Sequence, residues 1–165
     1  MIMITELKPE NAKRLAELAK PIWEEHYTPI IGAKQVEYML NKFQSEAAVK
    51  QQIESGYEYW FVFFDKKPAG YFAIEKRATR LFISKFYLAL AFRGRDIART
   101  MLNQCKKLAL NKNCPHLSLT VNKDNPAYGI YHKLGFTTLD AVKVDIGSGY
   151  FMDDYCMELK LNINN

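Results

Sequence analysis

Apolar residues along this chain recur first with a helical period and then with a strand-like one. Early in the sequence they fall three or four residues apart, which predicts a helix over Ala12, Leu15, Leu18, Ala19, Ile22 and Trp23. This helix follows Pro9 and should end at Tyr27-Thr28-Pro29, because a residue before proline disfavours the α conformation. Two further helices are predicted, one over Lys34 to Phe43 and one from an N-cap at Ser45 to a stop near Gly56.

Aromatic and β-branched residues then dominate, with turn signals between the apolar stretches. The predicted strands are Met1 to Leu7, Tyr57 to Phe64, Ala69 to Lys76, Leu81 to Leu88, Leu117 to Val121, Thr137 to Asp145 and Tyr150 to Leu161. Turns at Asp65-Lys66-Lys67-Pro68 and Gly147-Ser148-Gly149 close two hairpins. Helical spacing returns from Ile97 to Ala109, and Pro126 opens a last helix that ends at Leu134-Gly135.

The predicted order is therefore β-α-α-α-β-β-β-α-β-α-β-β, which combines antiparallel hairpins with helical crossovers. A mixed sheet follows, so the fold class is α/β, of the α+β type. The 165 residues suit one domain, residues 1–165, with a full hydrophobic core. Hydrophobic residues make up 48% and charged residues 25% of the chain, close to the globular average, which argues against disorder.

Charge and cysteine content narrow the possible partners. The formal net charge of +5 fits an anionic ligand, but no single basic stripe stands out, so we do not expect nucleic-acid binding. The three cysteines are widely spaced, which argues against a disulfide framework or a zinc site, and no other residue set suggests a metal. The N-terminus does not resemble a signal peptide, and the richest apolar stretch, Leu81 to Phe92, is too short to span a bilayer. We expect a soluble, cytoplasmic protein without a membrane partner.

The segment Phe92-Arg93-Gly94-Arg95-Asp96-Ile97-Ala98 links a predicted strand to a predicted helix. Free N–H groups in the first turn of a helix, together with the helix dipole, favour an anion such as phosphate. Arg93 and Arg95 add positive charge, and Gly94 lets the backbone approach a ligand without a Cβ in the way. The same residues are equally compatible with an ordinary turn that carries a solvated arginine pair.

The segment from Asn125 to Phe136, Asn-Pro-Ala-Tyr-Gly-Ile-Tyr-His-Lys-Leu-Gly-Phe, opens and closes a second helix after a strand. Asn125 can cap the start of this helix, and Gly135 can end it in a left-handed conformation. Together the two segments resemble the cofactor-binding half of the GCN5-related N-acetyltransferases, the GNAT superfamily. In the second segment Asn125, Ala127, Tyr131, Lys133, Gly135 and Phe136 match the family pattern in register.

The resemblance implies a GNAT-type mixed, mostly antiparallel central sheet with helices on both faces, splayed near its middle to admit acetyl-CoA. It implies that the first segment cradles the pyrophosphate of the co-substrate. The cofactor-binding residues would be Phe86, Tyr87, Leu88, Arg93, Gly94, Arg95, Asp96, Ile97, Ala98, Arg99, Asn125 and Tyr131. Asp96 stands where the family has glycine, and we expect it in the first turn of the helix, where a carboxylate is favourable. Asn125 is either a helix cap or a cofactor contact.

The resemblance also implies a mechanism in which an amine attacks the thioester of acetyl-CoA directly. Backbone N–H groups of Phe86 to Leu88 would stabilise the oxyanion, and Tyr131, whose phenol has an ordinary pKa of about 10, would protonate the leaving thiolate. Glu75 and Glu25 are the candidate general bases. For both, a solvated surface carboxylate is the alternative interpretation.

The rest of the chain looks like the bacterial subgroup of PaiA-type polyamine acetyltransferases. The similar stretches are Trp23 to Tyr27, Tyr38 to Ser45, Val144 to Gly147 and Met152 to Glu158. The expected function is therefore acetyl transfer to a primary amine of a small molecule, with a polyamine as one candidate acceptor, by a monomer or homodimer. The alternatives are a protein or peptide N-acetyltransferase and a non-catalytic acyl-CoA-binding regulatory module.

Overall fold

A computed structural model describes residues 1–162 of the chain, and its elements follow the predicted order. The helices are α1 (Ala12–Ile31), α2 (Ala33–Phe43), α3 (Glu46–Glu54), α4 (Ile97–Asn111) and α5 (Ala127–Lys133). The strands are β1 (Ile2–Glu6), β2 (Glu58–Phe64), β3 (Lys67–Arg77), β4 (Arg80–Leu88), β5 (His116–Asn122), β6 (Thr137–Gly147) and β7 (Tyr150–Lys160). Within residues 1–162, no helix is both long and apolar enough to cross a membrane.

The chain divides into two compact units. The first unit comprises Met1–Glu75 and Lys85–Gln104, and the second comprises Lys76–Ser84 and the chain from Cys105 onward. The prediction of a single domain over residues 1–165 includes residues 163–165, which lie outside the described part of the chain, and it stays a prediction.

Antiparallel pairing organises the sheet of the first unit. Strand β2 pairs with β1 on one side and with β3 on the other, and the strand order continues to β4. The β2–β3 hairpin turns at Asp65 and Lys66, whose φ angles of 48° and 68° are those of a two-residue turn that matches the twist of the strands. Strand β3 therefore begins at Lys67, two residues before the predicted start at Ala69.

Helix α1 is longer than predicted. It continues through Pro29 to Ile31, and Gly32, with φ of 86°, ends it while donating its N–H to the Thr28 carbonyl at 3.0 Å. The expected end at Tyr27-Thr28-Pro29 is wrong. The preference against α before proline is local, and here a long helix with a buried apolar face overrides it. The predicted cap of α3 is present, since Ser45 Oγ accepts the Ala48 N–H at 3.2 Å.

The second unit contains the one parallel pair described in the sheet. Residues Arg80 to Ile83 of β4 pair in parallel with His116 to Leu119 of β5. Strand β7 then pairs antiparallel with both β5 and β6, and Phe136 and Met157 are buried in this unit. The predicted splay of the sheet stays a prediction.

Candidate active site

The C-terminal end of β4 carries the three predicted oxyanion-stabilising residues, Phe86, Tyr87 and Leu88, all half-buried. Strand β3 lies unusually close to them. A Cβ at Gly70 would overlap the Tyr87 carbonyl oxygen and lie 3.0 Å from Leu88 Cδ2. Only glycine fits at position 70 without displacing the backbone that follows Phe86, so this approach fixes the path of the strand end.

The loop after β4 contains two residues with a left-handed backbone. Gly94 has φ of 77° and Asp96 has φ of 59°, and α4 begins at Ile97. Asp96 therefore lies just before the helix and not in its first turn, which corrects the prediction. Its carbonyl oxygen accepts the N–H of Thr100, and its side chain is exposed. Aspartate tolerates the left-handed region better than most residues, so Asp96 can adopt the conformation that a glycine would take there.

Arg93 holds this loop to two other parts of the first unit. Its Nε donates to the Leu88 carbonyl at 3.1 Å, and its guanidinium donates to Glu25 Oε2, also at 3.1 Å. Arg93 therefore fixes the end of β4 and is not a freely solvated arginine. Arg95 and Arg99 remain exposed beside the N-terminus of α4, and Arg95 lies over the ring of Phe64, 5.4 Å from its centroid.

The remaining loop residues and the two candidate bases differ in burial. Ile97 is a buried core residue and Ala98 is half-buried. Glu25 is 41% exposed and engaged with Arg93. Glu75 is half-buried near the end of β3. The structure thus joins Glu25, Arg93 and Leu88 in one hydrogen-bonded set.

Aromatic rings surround the strand end in the first unit. Trp23 lies 4.3 Å from Tyr27 and 5.6 Å from Tyr87, as measured between ring centroids, and Tyr71 lies 5.4 Å from Tyr87. The Tyr71 hydroxyl donates to Gln44 Oε1 at 2.8 Å. Helix α1, strand β3 and strand β4 are therefore held together by packed rings, which leaves Tyr27 and Tyr87 half-buried.

Lys85 is a buried lysine whose structural role the sequence analysis missed. Its Nζ donates to the Phe43 carbonyl at 2.5 Å, to Gln52 Oε1 at 3.0 Å and to the Tyr59 hydroxyl. These three acceptors match the three donors of an ammonium group. Burial lowers the pKa of Lys85 to about 7. The alternation Leu81, Ile83, Lys85 along β4 was the available signal, since it places the lysine on the buried face.

A cleft of about 480 Å³ lies in the first unit. It is lined by residues of α1 and α2 and of the segments around them, among them Lys20, Glu24, Thr28, Glu37, Asn41 and Gln44. Glu24 pairs loosely with Lys20, at 4.0 Å, and both side chains are well exposed. The polar groups of this cleft combine two carboxylates, Glu24 and Glu37, with one ammonium, Lys20, and with amide and hydroxyl groups that can both donate and accept.

In the second unit, Asn125 is buried at the start of α5 and acts as a cap. Its Oδ1 accepts the Ala127 N–H at 2.9 Å, which satisfies one of the free donors of the first turn. A contact between Asn125 and the cofactor stays a prediction.

Tyr131 lies one helical turn after Ala127, the first residue of α5. Its ring contacts that of buried Phe136, with 5.6 Å between centroids, and Tyr131 is half-buried. Gly135, with φ of 102°, ends the helix, and the Phe136 N–H donates to the Tyr131 carbonyl at 3.0 Å. The glycine-ended helix that the sequence predicted is present, and it fixes the backbone of Tyr131.

A family model identifies the fold of which these elements are part. The model described as an acetyltransferase (GNAT) domain matches residues 27–152 of the chain. The chain belongs to the GNAT family. This confirms the predicted family, and the description of the model agrees with the predicted class of enzyme.

Relatives within the family differ in how much of the chain they cover. An acetyltransferase of Pectobacterium atrosepticum is 37% identical over 62 residues, which are 36% of this chain and 44% of that protein, so the match spans less than half of the relative. The PaiA N-acetyltransferase of Thermoplasma acidophilum, solved with coenzyme A, is 23% identical with a TM-score of 0.82, covering 97% of this chain and 99% of that one. The ribosomal-protein-S18-alanine N-acetyltransferase of Escherichia coli is 14% identical with a TM-score of 0.71, covering 100% of this chain and 97% of that one.

These structures confirm the predicted fold class, a mixed and mostly antiparallel GNAT sheet. At such identities they show the fold alone. One of the two names gives a ribosomal-protein alanine as the acceptor and the other gives no acceptor, so the shared fold does not identify the acceptor of this chain.

Proposed function

We propose that this protein is an N-acetyltransferase that transfers the acetyl group of acetyl-CoA to a primary amine of a small molecule. The observation that carries the proposal is GNAT membership over residues 27–152, combined with the left-handed loop geometry of Gly94 and Asp96 before α4. The Pectobacterium atrosepticum relative matches too little of the chain to supply the acceptor.

The loop before α4 suits the pyrophosphate of the co-substrate. The first turn of α4 leaves backbone N–H groups without partners in the helix, and Arg95 and Arg99 stand exposed beside it. Asp96 keeps the left-handed backbone that the turn requires, and its exposed carboxylate is not enclosed by the loop. Arg93 would act by holding the strand end through Leu88, because its guanidinium is already engaged within the first unit.

The chemical step divides between backbone and side chain. Backbone N–H groups of Phe86 to Leu88 would stabilise the negative charge on the carbonyl oxygen during attack, and Gly70 keeps that strand end in place. The Tyr131 phenol would then protonate the thiolate as the C–S bond breaks. Asn125 would position α5 through its cap and could contact the co-substrate.

A cationic small molecule is the acceptor class that the first unit favours. The cleft near α1 and α2 presents Glu24 and Glu37 against a single cation, Lys20, which lies only loosely beside Glu24, so one carboxylate remains to attract an amine such as a diamine or polyamine. A bacterial origin, a cytoplasmic location and a monomeric or homodimeric state stay predictions, as do the alternatives of a peptide acetyltransferase and a regulatory acyl-CoA-binding module.

The test is acetyl-CoA-dependent release of free thiol with a panel of amines: spermidine, spermine, aminoglycosides, amino acids and short peptides. Substitution Tyr131→Phe should lower kcat about tenfold or more, because the thiolate loses its proton donor, while coenzyme A binding is retained. Tyr128→Phe is the matched control. It removes a hydroxyl from the same helix, one that bonds Thr138 Oγ1 at 2.7 Å, and it should leave turnover within about twofold.

Thiol release with one class of amine, lost in Tyr131→Phe but not in Tyr128→Phe, would establish both the activity and the acceptor class. Unchanged turnover in Tyr131→Phe would remove this residue from the mechanism. Coenzyme A binding without thiol release from any amine would favour the regulatory alternative.

A further inference from the structure

The cleft lined by α1 and α2 in the first unit has a buried floor and an exposed rim. Val36 and Gln44 form the floor, since they are only 2% and 3% exposed. Glu24, Glu37 and Asn41 are exposed and form the rim. Gln44 is therefore a polar side chain that the fold buries and that nevertheless lines the cleft.

The orientation of the Gln44 amide is fixed from inside the fold. Tyr71 is completely buried, and its hydroxyl donates to Gln44 Oε1 at 2.8 Å. Within residues 1–162 this hydroxyl has no other acceptor, so turning the amide over would leave its buried proton unpaired. The Gln44 nitrogen, Nε2, therefore occupies the side of the amide that faces away from Tyr71.

This amide nitrogen is free to bind a ligand. It has no hydrogen-bond partner in the part of the chain that the structure describes. It also keeps accessible surface, unlike the completely buried ring nitrogens of Trp60 Nε1 and His116 Nδ1. Because Gln44 lines the cleft and its oxygen is engaged by the core, its NH₂ group is presented to the cleft.

The floor of the cleft thus offers hydrogen-bond donors, whereas the rim offers carboxylates. Ser45, the next residue of the lining, accepts the Ala48 N–H at its Oγ, and its own proton has no acceptor among residues 1–162. A chain made only of methylene and ammonium groups donates hydrogen bonds at neutral pH and accepts none. Such a chain would leave the donors of the floor unpaired, which is costly once water is displaced. A ligand that pairs with the floor must carry an oxygen.

Two aromatic side chains connect this cleft to the end of β4. Tyr71, which binds Gln44, has its ring centroid 5.4 Å from that of Tyr87. On α1, Thr28 of the cleft directly follows Tyr27, whose ring centroid lies 6.1 Å from that of Tyr87. The cleft is therefore next to the aromatic cluster that surrounds the proposed oxyanion donors, within the same unit of the chain.

We propose that Gln44 selects an acceptor amine that carries a neutral oxygen, an inference that rests on the proposed acetyl transfer. A hydroxyl, ether or carbonyl oxygen accepts from Gln44 Nε2, and an ammonium group of the same molecule pairs with Glu37, which has no ion pair among the described residues. Amino alcohols, amino sugars and amino amides are then preferred over plain polyamines of the same length. Gln44 determines specificity and takes no part in bond making.

The test compares cadaverine with the analogue in which an ether oxygen replaces the central methylene group. The two diamines have the same length, and the ether oxygen only accepts hydrogen bonds. Binding is measured by calorimetry, and kcat and KM by thiol release. The wild type should favour the ether about fivefold in Kd and KM at equal kcat, the effect of one neutral hydrogen bond. Gln44→Met keeps a side chain of similar size without an N–H group and should abolish this preference.

Two further variants control for charge and for folding. Glu37→Gln alters the rim but not the floor, so it should weaken both diamines and keep the preference for the ether. Gln44→Met also deprives the Tyr71 hydroxyl of its acceptor. The double variant Tyr71→Phe/Gln44→Met removes both partners of that bond, which costs less than removing one, and it should likewise show no preference.

Equal affinity of the wild type for the two diamines would overturn the role of Gln44. A preference for the ether that persists in Gln44→Met and in the double variant would overturn it as well. The proposed function fails by a different result. If the wild type bound coenzyme A and preferred the ether but released no thiol with any amine of the panel, the proposed transfer to a small amine would be overturned, and the selection of the ligand by Gln44 would stand.

Discussion

Among residues 1–162, each unit buries one side chain of a type that is ordinarily charged at neutral pH, Lys85 in the first unit and Asp154 in the second, and their surroundings are opposite. Lys85 in the first unit meets three acceptors, one from each of α2, α3 and β2. Asp154 in the second unit is almost as deeply buried and meets none within the described residues. In both cases burial moves the pKa toward neutrality, to about 7 for the lysine and about 6 for the aspartate.

The difference indicates two uses of a buried charge. A fully partnered group fixes the elements that supply its partners, and removing one partner harms the fold. A group without partners adds nothing to the fold, and it costs stability in its charged form. Lys85 therefore belongs to the architecture that supports the end of β4, whereas Asp154 contributes no side-chain bond to the architecture of the second unit within residues 1–162.

The largest expected effect on stability comes from removing a partner of Lys85. Gln52→Leu deletes the Oε1 that accepts from Lys85 and from Tyr59, and the amide that donates to the Phe43 carbonyl at 3.1 Å. The ammonium then keeps two acceptors in a buried site. We expect a loss of about 2–4 kcal/mol in the free energy of unfolding, measured by urea denaturation.

Gln51→Leu is the matched control for this variant, because Gln51 is exposed on the same helix. It should change stability by no more than about 0.5 kcal/mol. Equal stabilities of Gln51→Leu and Gln52→Leu would show that the network around Lys85 does not hold the first unit together.

A smaller effect is expected from a single methyl group at Gly70. In Gly70→Ala the new Cβ meets the Tyr87 carbonyl and the Leu88 side chain, so the end of β4 must shift, at a cost of about 1–3 kcal/mol. Because the N–H groups of Phe86 to Leu88 are the proposed oxyanion donors, kcat should fall further than this loss of stability explains.

Gly129→Ala provides the opposite case in the second unit. Among residues 1–162, no atom beyond its chain neighbours and the backbone of its own helix lies within 4 Å of the position of the added Cβ, and Gly129 is in the middle of α5. Alanine there should raise stability by about 0.5–1 kcal/mol. If Gly70→Ala and Gly129→Ala had the same Tm and the same turnover, the close approach of β3 to β4 would be unimportant for both stability and function.

Most of the architecture could be predicted from local patterns, because each element here has a clear period and clear ends. The caps at Ser45 and Asn125 and the left-handed Gly135 are encoded within a few residues of the bonds they form. The end of α1 could not be found this way. The local signal at Pro29 favoured a stop, and the buried face of a twenty-residue helix outweighed it.

The candidate site was predicted less completely, because burial and partners are properties of the folded chain. The sequence marked Arg93 as a possible phosphate ligand, which stays a prediction, but it gave no sign of the bonds from Arg93 to Leu88 and Glu25. It likewise gave Glu25 and Glu75 as bases from their position on elements. Asp154 resembled any acidic residue of a hairpin until its register beside Asn122 and its lack of a partner were known.

The dependence of stability on pH compares the two buried groups most directly. The folded-state pKa of Lys85 is lowered, so the unfolded chain binds more protons between about pH 7 and the ordinary lysine value of about 10.4, and stability rises with pH in that window. The pKa of Asp154 is raised, so the folded chain binds more protons between the ordinary value of about 3.9 and about 6, and stability falls with rising pH there.

Urea unfolding across pH 4 to 10 should therefore show a falling limb and then a rising one, each no steeper than about 1.4 kcal/mol per pH unit for a single group. Asp154→Asn should flatten the falling limb alone, and Lys85→Met the rising limb alone. In Lys85→Met the Phe43 carbonyl still accepts from the Gln52 side-chain amide, and Gln52 Oε1 still accepts from the Tyr59 hydroxyl. The variant should therefore still fold. If the rise of stability with pH persisted in Lys85→Met, other groups would cause it. The three acceptors would then keep the buried lysine charged above pH 7.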